Sequence, residues 1–268
     1  MELLYHYTSI DRLAQILKNR TLRLSPLDKM DDLQENITKD IKNIGRFFFA
    51  SCWTADETES IPMWNMYTDI KAGVRIGLPK NPFVWHTTTV EDMTKAYGQP
   101  PSGYSCNANT FISMASLVEM GVFSPQAWGG DILKKIVYTD EIEKLEPTIA
   151  NLAKETINMD LSPIGIYKNT HWEFQHEWRY LMWFLPLDLK PVGNIANRFN
   201  IVVNRLYRGE LEPPFDHFDL DLSEDALDKM VITPSPKMTA GNRIILDTLI
   251  EKYAPTCALT ESSLLGKL

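Results

Sequence analysis

Residues 171–184 carry the strictest pattern in the chain: Trp172, Phe174, Trp178, Tyr180, Met182 and Phe184 alternate with Glu173, Gln175, Glu177 and Arg179. Extended backbone points successive side chains to opposite sides, so a period of two predicts a strand with one apolar, aromatic face and one polar face. A second strand is predicted at 46–54, RFFFASCWT, whose nearly unbroken hydrophobicity suits burial on both faces. These two segments demand a sheet, and the rest of the chain must supply its neighbours.

The first eighty residues alternate strand and helix. Residues 3–7 read as a strand, after which Ser9 caps a helix with Ile10, Leu13, Ile16 and Leu17 at helical spacing and Asn19 as its stop. A strand at 21–24 ends at Ser25 and Pro26, and 27–44, acidic near Asp31, Asp32 and Glu35, is predicted as an exposed loop with little core and room for a short helix in its middle. Ser60 caps a further helix with Pro62 in its first turn, and residues 73–78, GVRIGL, return as a strand. Beyond these, helices are predicted at 109–120, at 140–158 with Pro147 shortening or kinking it, and at 239–253 through Ile244, Ile245, Leu249 and Ile250. Pro100, Pro101, Gly103 and Pro125 mark loops. Strands are predicted at 132–138, 199–203 and 230–233, and the acidic 210–228 as a solvated surface excursion. A length of 268 residues suits one large domain, or two at most; we expect one α+β domain spanning 1–268, with a helical and loop insertion around 87–165.

Composition removes several function classes. Lys plus Arg number 27 against 35 Asp plus Glu, a net charge of −8, so there is no broad basic surface to displace counterions from a polyanion. Cys52, Cys106 and Cys257 lie far apart without the spacings of structural zinc or redox pairs. His171 and His176 differ in strand parity, which argues against a shared metal, and 216–225 lacks the glycine and terminal glutamate of a calcium loop. No GxGxxG, GxxxxGK[ST], HExxH or GxSxG occurs. No apolar run reaches the roughly 18–20 residues of a membrane span and the amino terminus lacks a signal-peptide layout, so a cytoplasmic protein without a membrane partner is expected.

Three patches remain: YHYTS at the amino terminus; SCWT and MWNMY leading into GVRIGL; and WEFQHEWRY. Their order, with a closing IxPxP turn at Ile232, Pro234 and Pro236, resembles a widespread bacterial family long labelled a domain of unknown function and placed in the ADP-ribosyltransferase superfamily. The opening strand and helix also resemble those of DarT-type toxins, which attach ADP-ribose to nucleic-acid bases. Asp31-Asp32 stands where the family commonly has Asn-Asp, and Gln175-His176 separates the two glutamates of the third motif.

The resemblance implies a split β-sandwich with flanking helices, NAD as substrate, no metal, and Glu177 as the catalytic carboxylate. It implies that His6 holds the adenine-side ribose and that Ser25 touches NAD. Thr8 shares a strand face with His6, and Arg179 shares one with Glu177, so both are expected at the cofactor. Trp64 and Tyr67, three apart on a predicted helix, form a face that either stacks on nicotinamide or packs a core, with Tyr67 the preferred contact. Arg46 and Arg75 are candidates for the pyrophosphate, or else surface strand residues. The expected activity is that of an NAD-dependent ADP-ribosyltransferase, a toxin-like effector of antiphage defence or of a toxin–antitoxin pair. The expected acceptor is an unpaired nucleic-acid base in mRNA or single-stranded DNA, or a protein, with a small molecule also open, and a neutralising antitoxin is expected as partner. An NAD glycohydrolase and a non-catalytic nucleotide-binding module are the alternatives.

Overall fold

The computed structural model describes residues 2–97, 108–128, 131–153, 156–187 and 195–268. Its main elements are β1 (Leu3–Ser9), α1 (Ile10–Asn19), β2 (Thr21–Pro26), β3 (Phe48–Thr54), α2 (Ile61–Tyr67), β4 (Gly73–Pro79), β5 (Leu133–Lys135), β6 (Glu177–Trp183), α3 (Ile195–Tyr207), β7 (Phe218–Asp221), β8 (Val231–Pro234), α4 (Ala240–Tyr253) and β9 (Ala258–Leu259). Among the described residues the nine strands form one mixed sheet in the order β7-β2-β3-β1-β4-β8-β9, with β6 on β3 and β5 beyond it. All pairings are antiparallel except β8 with β9. The fold class is α+β.

Strand β3 organises the site. Strand β6 pairs along its whole length, from Glu177 opposite Thr54 to Trp183 opposite Phe48. A strand has only two edges, and the other one is shared. Strand β1 meets β3 at Tyr5–Thr54 alone, then runs the length of β4 instead. Strand β2 meets β3 at the opposite end, through Ser25–Ala50 and Pro26–Phe49. Between these contacts, residues 51–53 have no strand partner on that edge among the described residues. Helix α1 links β1 to β2, and the sheet opens beside it.

Local chemistry explains α1. The Ser9 side chain accepts from the Arg12 backbone N–H at 3.3 Å, Ile10, Leu13, Ile16 and Leu17 are buried, and Arg20 closes the helix in the left-handed region at φ 58°. Such a cap is worth about 1 kcal/mol. Helix α2 begins as predicted, with Ser60 accepting from the Met63 N–H and Pro62 in its first turn. Phe48, Phe49 and Trp53 of β3 are buried, as its unbroken hydrophobicity requires.

The structure corrects several expectations. The alternation of 171–184 is a strand only from Glu177: Thr170–Gln175 is a 3-10 turn capped by the Asn169 side chain, and His176 sits at φ 43°. The predicted strand at 199–203 lies inside α3, because Phe199, Val202 and Leu206 recur at helical spacing against the core. The predicted helix at 140–158 stops at Leu145, since Pro147 has no N–H to continue it, and Ala150–Ala153 pairs with Thr156–Met159 as a hairpin. The helix expected at 109–120 covers Met114–Met120, behind the short strand Ala108–Thr110. The strand expected at 132–138 divides into β5 and Val137–Tyr138, which pairs with Tyr167–Lys168.

Residues 210–228 are no solvated excursion: β7 completes the sheet edge, and Leu220, Leu222, Ala226 and Leu227 are buried. Residues 27–44 form 3-10 turns that bury Leu27, Ile41, Ile44 and, unexpectedly, Glu35. Helix α4 lies where predicted but buries Leu246, leaving Ile244 and Ile245 exposed. The loop expected at Pro100, Pro101 and Gly103 lies outside the described residues, as does Cys106. No described helix is long and apolar enough to cross a membrane.

Candidate active site

A cavity of about 530 Å³ occupies the opening between β1 and β3. That volume falls in the range of small-molecule sites, roughly 300–1,000 Å³. Six of the seven NAD-site residues expected from the sequence line it: His6 and Thr8 from β1, Ser25 from β2, Tyr67 from α2, and Glu177 and Arg179 from β6. The seventh, Trp64, does not. Its ring is fully buried, packs edge-on against Tyr7 at 4.9 Å and donates its N–H to Glu59 at 3.0 Å, so it is a core residue. Trp64 and Tyr67 have different surroundings because α2 is a single wall, with sheet behind it and cavity in front.

His6 takes the place of a ladder partner on the open edge of β3. Its Nδ1 lies 2.7 Å from the Cys52 carbonyl oxygen, and a carbonyl only accepts, so Nδ1 carries the proton. Burial lowers the His6 pKa to about 4, an effect that the Cys52 hydrogen bond opposes and the Arg12 guanidinium reinforces. The ring is therefore neutral near pH 7, and Nε2 keeps a lone pair for a hydroxyl donor. Thr8 is fully buried and its Oγ1 has no partner, a polar atom left for a ligand in the cavity it lines.

Glu177 sits in a buried cluster of four charges. Its Oε1 accepts from Arg179 Nε at 2.9 Å and Nη2 at 2.6 Å, and its Oε2 from Lys168 Nζ at 3.1 Å. Glu35 completes the cluster, pairing with Arg179 through both carboxylate oxygens and with Lys168 at 3.2 Å. Two carboxylates and two cations leave it neutral, which makes burial tolerable. Burial alone would raise the Glu177 pKa; the charges of Arg179 and then Lys168 outweigh it and hold the carboxyl below its usual range. A carboxylate offers about four acceptor positions; these bonds take three, and the Cys52 thiol, a weak donor, lies at the remaining one, where a hydroxyl is the stronger competitor.

Arg179 has no such reserve. Its five N–H groups are taken by Glu177, Glu35 and the Gly165 carbonyl, so it orients Glu177 and has no N–H left for the cofactor. Lys168 donates to Glu177 and, at 2.8 Å, to Gln175, and its ammonium forms an ion pair with Glu35 at 3.2 Å. The Gln175 amide donates to the Tyr67 hydroxyl, tying the aromatic wall to the charged floor. Burial, then the negative charge of neighbours including Asp31 and Glu177, pushes the Tyr67 phenol up, so it stays protonated. The Cys52 thiol, also on the cavity, is driven up by burial and by Glu177, which makes it a poor nucleophile.

The two arginines expected at a pyrophosphate are elsewhere. Arg46 pairs with Glu212 on the surface at 2.5 Å. Arg75 is buried under the Tyr5 ring, 3.8 Å from its centroid, and donates to the Glu57 carbonyl at 2.6 Å. Arg12, from the first turn of α1, lines the cavity and forms no ion pair among the described residues. Arg12, Lys168 and Glu35 are charged residues of the site that the sequence did not single out. A lone lysine and one glutamate of an acidic stretch give no periodic signal; Arg12 was findable, since α1 follows the histidine strand directly.

The described residues contain no group of three or more His, Cys, Asp or Glu able to hold a metal ion. No protein-family model, curated protein or solved structure matches the chain.

Proposed function

We propose that the protein is an NAD-dependent ADP-ribosyltransferase with Glu177 as its catalytic residue. One observation carries this reading: His6 and Glu177, distant in sequence, line a single cavity where the β1 and β3 arms of the sheet separate. Two groups able to accept from hydroxyls on one cavity of this volume suit a ligand with two sugars. Aromatic, anionic and cationic side chains, among them Tyr67, Asp31 and Arg12, line the same cavity and support this reading.

The reaction breaks the bond between the ribose carbon and the nicotinamide nitrogen. The electron pair leaves with nicotinamide, whose ring loses its positive charge, and the sugar carbon becomes oxocarbenium-like. A nucleophile then bonds to that carbon and releases its proton. Glu177, ionised through Arg179 and Lys168, accepts a hydrogen bond from the neighbouring ribose hydroxyl and stabilises the developing cation. His6 accepts from the other ribose through Nε2, with Thr8 beside it. Tyr67, linked to the same cluster through Gln175, flanks the nicotinamide. Arg12 faces the diphosphate.

The likeness of the opening motif to DarT-type toxins favours an unpaired base as acceptor, stacked on aromatic groups, and a neutralising partner protein. The net charge of −8 keeps a protein acceptor in view. Incubation of the protein with radiolabelled NAD and a cell lysate tests the reading. Transfer predicts label on a nuclease- or protease-sensitive macromolecule together with nicotinamide release, both abolished in Glu177→Gln. Free ADP-ribose without labelled macromolecule indicates a hydrolase, and nicotinamide release unaffected by the substitution defeats the assignment of Glu177.

A further inference from the structure

Resting on the ADP-ribosyl-transfer reading, we infer that Glu35 and Lys168 are positioning residues that hold the Glu177 carboxylate at the cavity floor by sharing its cations. Neither belongs to the motifs that single out Glu177, and they come from different parts of the chain. Glu35 lies in the turn Leu33–Asn36 and Lys168 on the short strand Tyr167–Lys168, and both are almost wholly excluded from solvent. Apolar side chains of similar volume stabilise a core as well as a buried ion cluster does, so a four-charge cluster at a cavity wall points to a task other than stability.

The connectivity specifies that task. Arg179 grips one oxygen of Glu177 and Lys168 the other, which fixes the carboxylate plane. Glu35 forms ion pairs with the same two cations, so it both orients them and competes with Glu177 for their charge. Lys168 also holds Gln175, and through it the Tyr67 hydroxyl. One ammonium thus sets the spacing between the carboxylate and the aromatic wall. The other titratable groups facing Glu177 are the Cys52 thiol of β3, the Tyr67 phenol of α2 and the Tyr138 hydroxyl, which accepts from the Glu177 backbone N–H at 2.8 Å, while the Asp32 carboxyl acts on Glu35, Lys168 and Arg179 from the turn beside Glu35.

Two substitutions act on Glu177 in opposite senses. Lys168→Met removes a cation, so Glu177 binds a proton more readily and the acid limb of the pH–rate profile moves up. Glu35→Gln, nearly isosteric, removes the competing anion and leaves both cations to Glu177, so the acid limb moves down. Loss of alignment in Lys168→Met lowers kcat for nicotinamide release by about 100-fold, with KM for NAD nearly unchanged. Lys168→Arg restores the position of the acid limb.

The experiment is the pH dependence of NAD turnover in these three variants, paired with a titration of the ¹³C-labelled Glu177 carboxyl by NMR in the same proteins. Opposite displacements in Lys168→Met and Glu35→Gln support the proposal; displacements of one sign, or none, overturn it. If Lys168→Met does not fold, Glu35→Gln decides alone, a downward displacement supporting and an unmoved one overturning. If the wild-type protein releases no nicotinamide, the activity reading fails, and the carboxyl titration still decides whether Glu35 and Lys168 control Glu177.

Discussion

Replacing Arg179 by methionine tests the buried cluster through stability alone. The guanidinium is about 1% exposed and its five N–H groups meet Glu177, Glu35 and the Gly165 carbonyl. Methionine fills much of the volume but leaves two carboxylates, each no more than 4% exposed, sharing Lys168 as their one cation. Breaking a buried ion pair by removing one partner costs about 3–5 kcal/mol, a large part of the roughly 5–15 kcal/mol that holds a domain folded. The loss has a definite pH signature. Because Arg179 and Lys168 depress the Glu177 pKa in the fold, their contribution is present above the carboxyl pKa of the unfolded chain and is lost as pH falls through the depressed folded value. In Arg179→Met the stranded carboxylates protonate earlier and the penalty shrinks. Urea unfolding across a pH series is the assay: the midpoint difference from wild type is largest at pH 7 and narrows on acidification, with the slope against urea unchanged. A variant as stable as wild type, or a difference independent of pH, refutes the cluster.

Further outcomes follow from the site. His6 stays neutral in the fold down to about pH 4, whereas an unfolded imidazole takes up a proton below 6.5, so wild-type stability falls between those values and His6→Asn flattens that slope; equal slopes contradict the buried neutral ring. Trp64→Ala costs about 3–5 kcal/mol of folding free energy by emptying a core position, while Tyr67→Ala mainly weakens NAD binding measured by calorimetry; the reverse pattern contradicts the placement of α2. Arg12→Ala loses a charge-assisted contact worth about 1.5–3 kcal/mol, raising KM for NAD by at least about tenfold, whereas Arg46→Ala leaves KM unchanged because its ion pair is on the surface.

The parts of this fold legible in sequence are those where local chemistry and tertiary packing agree. Ser9 and Ser60 announce two helices whose first turns they cap, and the hydrophobicity of β3 announces a strand covered on both faces. Parity along β1 brings His6 and Thr8 to one cavity, and parity along β6 does the same for Glu177 and Arg179. The illegible parts are those where long-range partners decide. Residues 171–175 alternate like a strand, yet β3 ends at Thr54, so Gln175 has no partner to extend against and the backbone turns under Asn169 instead. The polar face of β6 looks like a solvent face until Glu35 and Lys168 arrive from elsewhere to neutralise it. Arg75 reads as a surface strand residue because only the fold places Tyr5 above it and the Glu57 carbonyl beside it. In α3, Val202 and Val203 suggest a strand by propensity, and packing against the core overrides it.

The most direct measurement is a crystal structure of the Glu177→Gln protein soaked with NAD, in which the missing carboxylate leaves the dinucleotide intact. NAD is expected in the opening between β1 and β3, with one ribose hydroxyl at His6 Nε2 and the nicotinamide-side ribose at position 177 beside Tyr67. A dinucleotide bound elsewhere, or a cavity that stays empty at saturating NAD while Arg179, Lys168 and Glu35 keep their positions, contradicts that placement.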